Sequence, residues 1–427
     1  MLSKSAGPQA PTKRMGDWEF IALTAFMMSL VALSIDMMMP ALPLMAADLG
    51  VQNDNDRQMI LTTFMAGLTV AQFFYGPWSD RVGRKPAVIT GTAVFLAGSV
   101  ICLVAQDFHT MLGGRFMQGC GIAALRILSM TIVRDLYEGR AMARIMSMAM
   151  SLFILVPCVA PMLGQVILSF SHWRSIFMVL AAVGILVVSW YVVRQQETLD
   201  PSKQRSFNIR SLYLGLRETC SHRVTLGYTL ASGLVAGAFT SYLLSAQQIF
   251  QDIFHSGEKF ALYFAVLAMG YGIASLLNAK LVMRFGMHKI SYTSITSMIV
   301  FSAILLGSAW HFGTELPLPV FMTIMMGLFF SISFLFGNMN AIAMQPLGHL
   351  AGTASSVISL INGSLSLVIG ASIGQAFNGT IMPFALGCVV CSSAAMVAMR
   401  WGDAETEGVE RHVGRDSEVT EQLDQAA

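Results

Sequence analysis

Twelve stretches of mostly apolar residues, each about twenty long, constrain this chain more than any other feature. They cover residues 18–44, 58–78, 86–105, 111–133, 145–168 and 176–193, then 224–247, 260–281, 290–310, 316–343, 354–377 and 383–399. A helix needs roughly 20 apolar residues to cross a bilayer. Only 12% of the 427 residues are charged and 55% are hydrophobic, whereas an average soluble domain is about 25% charged. A soluble fold of this length could not hide that surface, so an all-α integral membrane protein with twelve transmembrane helices is expected.

The spans divide six and six around a polar stretch, 194–223, that carries six of the Lys and Arg residues. The expected organisation is a polar tail (1–17), a six-helix bundle (18–194), a central loop (195–223), a second six-helix bundle (224–401) and an acidic tail (402–427). Within the loop Ile209, Leu212, Tyr213 and Leu216 repeat at helical spacing beside Arg210 and Arg217. They make either a basic amphipathic helix on the membrane surface or a solvated linker. The tail beyond Asp403 is poor in apolar residues and is expected to be disordered.

Charge orients the spans. With the N-terminus inside, 21 of the 26 Lys and Arg fall on the cytoplasmic side. Three (Arg57, Arg174, Lys259) fall outside, and two (Arg115, Arg126) lie within a span. Cytoplasmic loops carry the excess of Lys and Arg, so both termini are expected in the cytoplasm. No cleavable signal peptide is visible, because the first apolar stretch is too long for a signal core and lacks a small-x-small exit.

Several chemistries lack their residues. There is no GxxxxGK[ST] to cradle ATP phosphates, and neither GxSxG nor HExxH occurs. All eight histidines lie at or beyond span ends. Five of the six cysteines sit in apolar segments, and the Cys388-x-x-Cys391 pair has no second pair to complete a metal site. The net charge of +2 says nothing about nucleic acid, but no Lys/Arg run is interleaved with aromatics as a nucleic-acid face needs, so no nucleic-acid partner is expected. No enzyme activity, metal or cofactor is expected. If energy is coupled, an ion gradient is the available source.

Three ionisable residues lie well inside spans: Asp36, Arg115 and Arg126. A charge at a helix centre costs about 2.5–3.5 kcal/mol even on the lenient insertion scale, so each needs a partner, a wet cavity or a change of protonation. Burial disfavours the charged form of a carboxyl and a nearby cation favours it. Asp36, the sole carboxylate of the three, therefore suits a proton carrier. The alternative is a static ion pair, with Arg115 as its partner. Arg126 follows Arg115 by eleven residues, three helical turns plus about 20°, so the two share a face with Gln118 and Ser129 near it. Arg126 either meets an anionic group of a substrate or snorkels to the interface. In the fifth span Pro157 and Pro161 should bend the helix, while Ala160 and Gly164 permit close contact.

Together these pieces resemble the major facilitator superfamily, and within it the bicyclomycin/chloramphenicol-resistance branch of drug:proton antiporters, over nearly the whole chain, 18–401. Gly76-x-x-x-Asp80-Arg81-x-Gly83-Arg84-Lys85 matches the superfamily's loop signature. Arg81-x-Gly83 is echoed by Arg284-x-Gly286, with Met283 in place of Asp80. Asp36-x-x-x-Pro40-Ala41-Leu42-Pro43 resembles the branch's first-helix signature, and Arg115-x-x-Gln118-Gly119-x-Gly121 the fourth-helix motif. A segment running from Asn338 to Ser356 is similar to the branch's join between helices ten and eleven. The fifth helix departs, reading Ala160-Pro161-x-x-Gly164-Gln165 where antiporters usually have Gly-Pro-x-x-Gly-Gly, and Met28 stands where some relatives carry a second acid.

The resemblance implies two pseudo-symmetric bundles around a cavity lined by helices 1, 4, 7 and 10 and opened alternately to either side. It implies proton-driven export of small amphipathic compounds, by a monomer in the inner membrane that needs no cofactor. Asp36 and Arg115 would couple the proton. Met28, Ala32, Asp36, Arg115, Gln118 and Arg126 would face the substrate. Gly76, Asp80, Arg81, Gly83, Arg84 and Lys85, with Asp135 paired to Arg84, would form a gate that holds the outward-facing state shut on the inside. Met27, Met28, Met37, Met38 and Met39 around Asp36 make either a soft pocket for varied ligands or ordinary membrane core. The rival reading is a transporter of one metabolite whose anionic group meets Arg126 and Arg115.

Overall fold

Each of the twelve apolar stretches forms a helix in the computed structural model, which describes residues 15–199 and 216–426. We number them α1 (Asp17–Asp36), α2 (Met59–Val82), α3 (Arg84–Val104), α4 (Phe108–Leu136), α5 (Gly139–Phe170) and α6 (Arg174–Arg194). The second six are α7 (Arg223–Gln247), α8 (Phe260–Phe285), α9 (Met287–Phe312), α10 (Leu318–Met344), α11 (Ala351–Gln375) and α12 (Met382–Ala426). All twelve are long and apolar enough to span a membrane, and no strand occurs among the described residues.

The packing repeats. In the first half α1 packs on α4, α5 and α6, α2 on α4, and α3 on α4 and α6. In the second half α7 packs on α10, α11 and α12, α8 on α10, and α9 on α10 and α12. Adding six to each number of the first set gives the second. The halves meet through α2 against α11 and α5 against α8. With an even number of spans, both chain ends lie on one face, called here the terminal face.

Two details differ from the sequence reading, and a third expectation falls mostly outside the described residues. The polar stretch 76–86 is almost entirely helical: α2 runs to Val82 with Pro77 inside it, α3 begins at Arg84, and one residue, Gly83, separates them. Gly83 has φ +101°, a conformation that costs glycine alone little, so the chain reverses within a single residue. The acidic tail is not disordered, since α12 continues to Ala426. Glu, a good helix former, is its commonest residue. It extends a helix already nucleated by the membrane span and so escapes the nucleation cost. The candidate surface helix near 209–217 lies mostly outside the described residues, which resume as helix from 216 to 221.

Candidate functional site

α1 stops at Asp36 because two prolines come soon after it in the chain. Pro40 lacks an N–H and sits in a 3-10 turn, Met39–Ala41, and Pro43 opens the short helix Leu42–Asp48. The signature around Asp36 is thus a helix break that places a carboxyl on a helix end within the membrane. Asp36 is 5% exposed, and among the described residues its carboxyl has no ion pair or hydrogen bond. Met28 and Ala32 lie two turns and one turn before it and are also buried. Gly164 of α5 packs on the turn just beyond Asp36: a Cβ there would lie 2.1 Å from the Met37 carbonyl oxygen. Pro157 and Pro161 both lie inside α5, which is assigned as helix throughout its length. Cys158 of α5 is buried, and so is Tyr242 of α7. Tyr242 comes from the opposite half. Its ring is held edge-on by Phe329 (4.9 Å between centroids) and stacked on Phe264 (5.9 Å), and its buried hydroxyl has no partner among the described residues. The sequence reading missed Tyr242, for no local pattern distinguishes it from a core tyrosine.

Arg115 does not pair with Asp36. It is fully buried, and its guanidinium donates to the Ile60 carbonyl (3.0 Å), the Gln118 side-chain oxygen (2.8 Å) and the Ser34 carbonyl (3.0 Å) while lying over the Phe64 ring. Gln118, also fully buried, donates to Ser99 (2.7 Å). These two residues therefore tie α4 to α1, α2 and α3 rather than facing a cavity. The physical reason is the end of α1: Ser34 offers one of the last carbonyls of that helix, which lack helical donors, and a cation is favourable at a helix C-terminus. The adjacent glycines serve the same packing, since a Cβ on Gly119 would lie 2.0 Å from the Phe64 carbonyl oxygen.

Arg126 behaves differently. It is exposed, and its guanidinium has no hydrogen bond or ion pair among the described residues. On the second half an aromatic cluster joins α7, α8 and α10: Phe239 lies 5.8 Å from Tyr271, 5.7 Å from Phe329 and 6.2 Å from Phe336. Phe239, Tyr271 and Phe336 are only partly buried.

At the terminal face the loop signature forms one bonded cluster. Arg84 donates to Asp80 (2.5 Å), Ser79 (2.7 Å) and Asp135 (2.9 Å). Lys85 reaches the Val192 (2.7 Å) and Gln195 (3.0 Å) carbonyls near the end of α6. A Cβ on Gly76 would lie 4.0 Å from the Ser356 hydroxyl of α11, and Arg81 is exposed. A further member was not legible in sequence. Glu197 accepts the N–H groups of Arg84 and Lys85 (2.9 Å each), capping α3 from a distant part of the chain. It also accepts those of Thr198 and Leu199. Burial raises its carboxyl, but these four backbone donors outweigh burial and hold it below the ordinary carboxylate value.

Comparison with known proteins places this arrangement. The family model described as Major Facilitator Superfamily matches residues 24–371. The chain is 30% identical over 362 residues to the uncharacterized MFS-type transporter YdgK of Bacillus subtilis, spanning 82% of this chain and 88% of that protein. It is 26% identical over 378 residues to the multidrug resistance protein MdtL of Escherichia fergusonii, covering 87% and 93%. Among solved structures it resembles the xylose transporter XylE from E. coli in a partially occluded inward open conformation (TM-score 0.67, 11% identity, 91% and 98% covered). It also resembles the human organic anion transporter MFSD10 (TETRAN) (TM-score 0.62, 15% identity, 92% and 100% covered).

Proposed function

We propose, from the premise that the chain belongs to the major facilitator superfamily, that it is a proton-coupled exporter of small amphipathic compounds working by alternating access. The observation that carries this is Asp36: a buried carboxyl without a partner among the described residues, on a helix end within the membrane. A buried charge without a partner is costly, so the group invites a proton whenever the cavity is closed and can release it when water enters. The multidrug resistance proteins among its relatives support the drug-export reading and its antibiotic-resistance consequence. In this reading a monomer sits in the inner membrane, both termini lie in the cytoplasm, as the charge distribution favours, and no cofactor takes part. Its affinity to the bicyclomycin/chloramphenicol-resistance branch rests on the signature around Asp36.

Proton-driven efflux in membrane vesicles tests the assignment. Asp36→Asn should reduce it to background while the protein remains inserted and folded; efflux that persists with unaltered pH dependence refutes the coupling role. A second reading has its own observation. The exposed, unpaired Arg126 in the middle of a span suits a substrate with an anionic group, which would make the protein a transporter of one metabolite class. Arg126→Ala should then weaken anionic substrates by about tenfold and spare neutral ones, because a charge-assisted hydrogen bond is worth about 1.5–3 kcal/mol. Equal transport of both substrate types by that variant rules this reading out.

A further inference from the structure

Between α9 and α10 a crevice of about 420 Å³ opens on the surface of the second half. Pockets that hold small molecules run from roughly 300 to 1,000 Å³, so it has room for one. The helical period fixes where it faces. Gly327 and Phe334 line it, and each lies two residues, about 200° of turn, from Phe329 and Phe336, which pack on Phe239 of α7. The crevice is therefore on the side of α10 away from α7. Thr323 and Gly337 share that side and are exposed, as is Thr293 at the edge on α9. Gly270 of α8 comes against Met326 at the other edge, where a Cβ would lie 2.0 Å from the sulfur. The lining positions, 293–301 and 326–334, fall well inside their spans, so the crevice meets the hydrocarbon core of the bilayer and not water.

The lining is of two kinds. Phe301, Phe330, Phe334 and Met326 make an aromatic, polarisable wall, which suits flat rings and tolerates variation in shape. Hydroxyls make the rest. Ser331 donates to the Gly327 carbonyl (2.9 Å) and lies 3.0 Å from the Ser297 hydroxyl. Thr293 donates back to the Lys289 carbonyl one turn earlier (2.9 Å). Ser294 also lines the crevice and is 5% exposed, yet its hydroxyl has no hydrogen bond among the described residues. A buried hydroxyl without a partner is unfavourable, the more so where water does not reach. An acyl chain of the surrounding lipid would fill the volume but offers no acceptor at that depth. A ligand that meets both demands has an aromatic body and one polar group.

We propose that this crevice is a binding site for small aromatic amphipaths dissolved in the bilayer. The ring of the ligand lies among Phe301, Phe330 and Phe334, and its polar group accepts a hydrogen bond from Ser294. Such a compound reaches the site sideways from the lipid, without passing through either aqueous face. The site lies wholly in the second half, apart from Asp36 in the first. The proposal rests on the membrane-spanning fold, and on neither proton coupling nor export.

Photolabelling of the full chain in lipid nanodiscs tests it with two probes. One is a phenyl diazirine carrying a single benzylic hydroxyl. The other is a phosphatidylcholine with a diazirine midway along one acyl chain. Mass spectrometry maps the labelled peptides. The aromatic probe should label 293–301 and 326–334 saturably and should displace the lipid probe from them. Ser294→Ala removes an unpaired hydroxyl, which leaves the fold intact. It should raise the half-saturating concentration of the aromatic probe about fivefold, the loss of one neutral hydrogen bond, and leave labelling by the lipid probe unchanged. Thr293→Trp adds a bulky ring at an exposed edge and should cut saturable labelling to background, with the gel-filtration profile of the unaltered protein. Labelling that does not saturate overturns the proposal, as does a half-saturating concentration that Ser294→Ala leaves unchanged. A lipid probe that the aromatic compound fails to displace also overturns it, because the crevice then belongs to acyl chains. No gradient or transport enters the measurement, so a failure of the Asp36 assignment in vesicles would be a separate result.

Discussion

Residue by residue, the partner of a polar group decides what it can do. Arg115 and Arg126 look equivalent on a helical wheel, yet one is bonded to two carbonyls and an amide while the other has no partner among the described residues. The first holds α4 to its neighbours; the second is free to meet something else. Glu197 makes the same point at the terminal face. Its carboxyl is held below its ordinary value of 4.5, so its contribution is present above that value and is lost as pH falls through the depressed one. Glu197→Ala should destabilise the α2–α3 turn by about 0.5–2 kcal/mol, as loss of a helix cap does, at the lower end because the carboxyl is partly open to solvent. Protease sensitivity of that turn measured from pH 7 to pH 3 checks this. The unaltered protein should become sensitive on acidification, and the variant should be sensitive at every pH. Nothing in the sequence identified Glu197, because a cap supplied 113 residues away leaves no local spacing to find.

At the scale of helices, the motifs that mark the family here are largely packing devices. The glycines after Gln118 let the backbone of α4 touch those of α2 and α3. Gly119→Ala would force a methyl to within 2.0 Å of the Phe64 carbonyl oxygen. Overpacking of a core usually costs about 1–3 kcal/mol, and rigid backbone on both sides puts this case at the upper end or beyond. A marked fall in the melting temperature of detergent-purified protein is expected; an unchanged one would show that α2 and α4 can separate freely. These helices were legible in the sequence to within a few residues, because length and apolarity are local properties. The break after Asp36 was not: the sequence reading ran the first span through 18–44 and set Asp36 well inside it, whereas Pro40 and Pro43 end α1 there. The one-residue reversal at Gly83 was not, since polar residues in an α-helix that protrudes from a membrane read like a loop.

For the whole molecule, hydrogen bonds as well as packing join the halves. Asn55, Arg57 and Gln58 of the first half bond to Gln375, Asp252 and Gln248 of the second. In the proposed reading the loop signature acts as a gate, and Asp80 is one of its contacts. Asp80→Asn should lower transport about tenfold, the loss of roughly one charge-assisted bond, and leave substrate affinity nearly unchanged. Parallel transport and equilibrium-binding measurements check this; lost binding would show that the loop does more than gate.

The amino-acid sequence alone determined that twelve helices cross a bilayer and that they come as six and six. Both stem from the width of the apolar core, a property each span carries in its own residues. Only the tertiary structure decided that Arg115 serves the end of α1, that Tyr242 and Glu197 belong with residues far from them in the chain, and that Asn55, Arg57 and Gln58 bond across the halves. The reason is that a buried polar group takes whichever partner the packing brings within hydrogen-bond distance. In a two-half protein those partners lie tens to hundreds of residues away, where no spacing rule reaches.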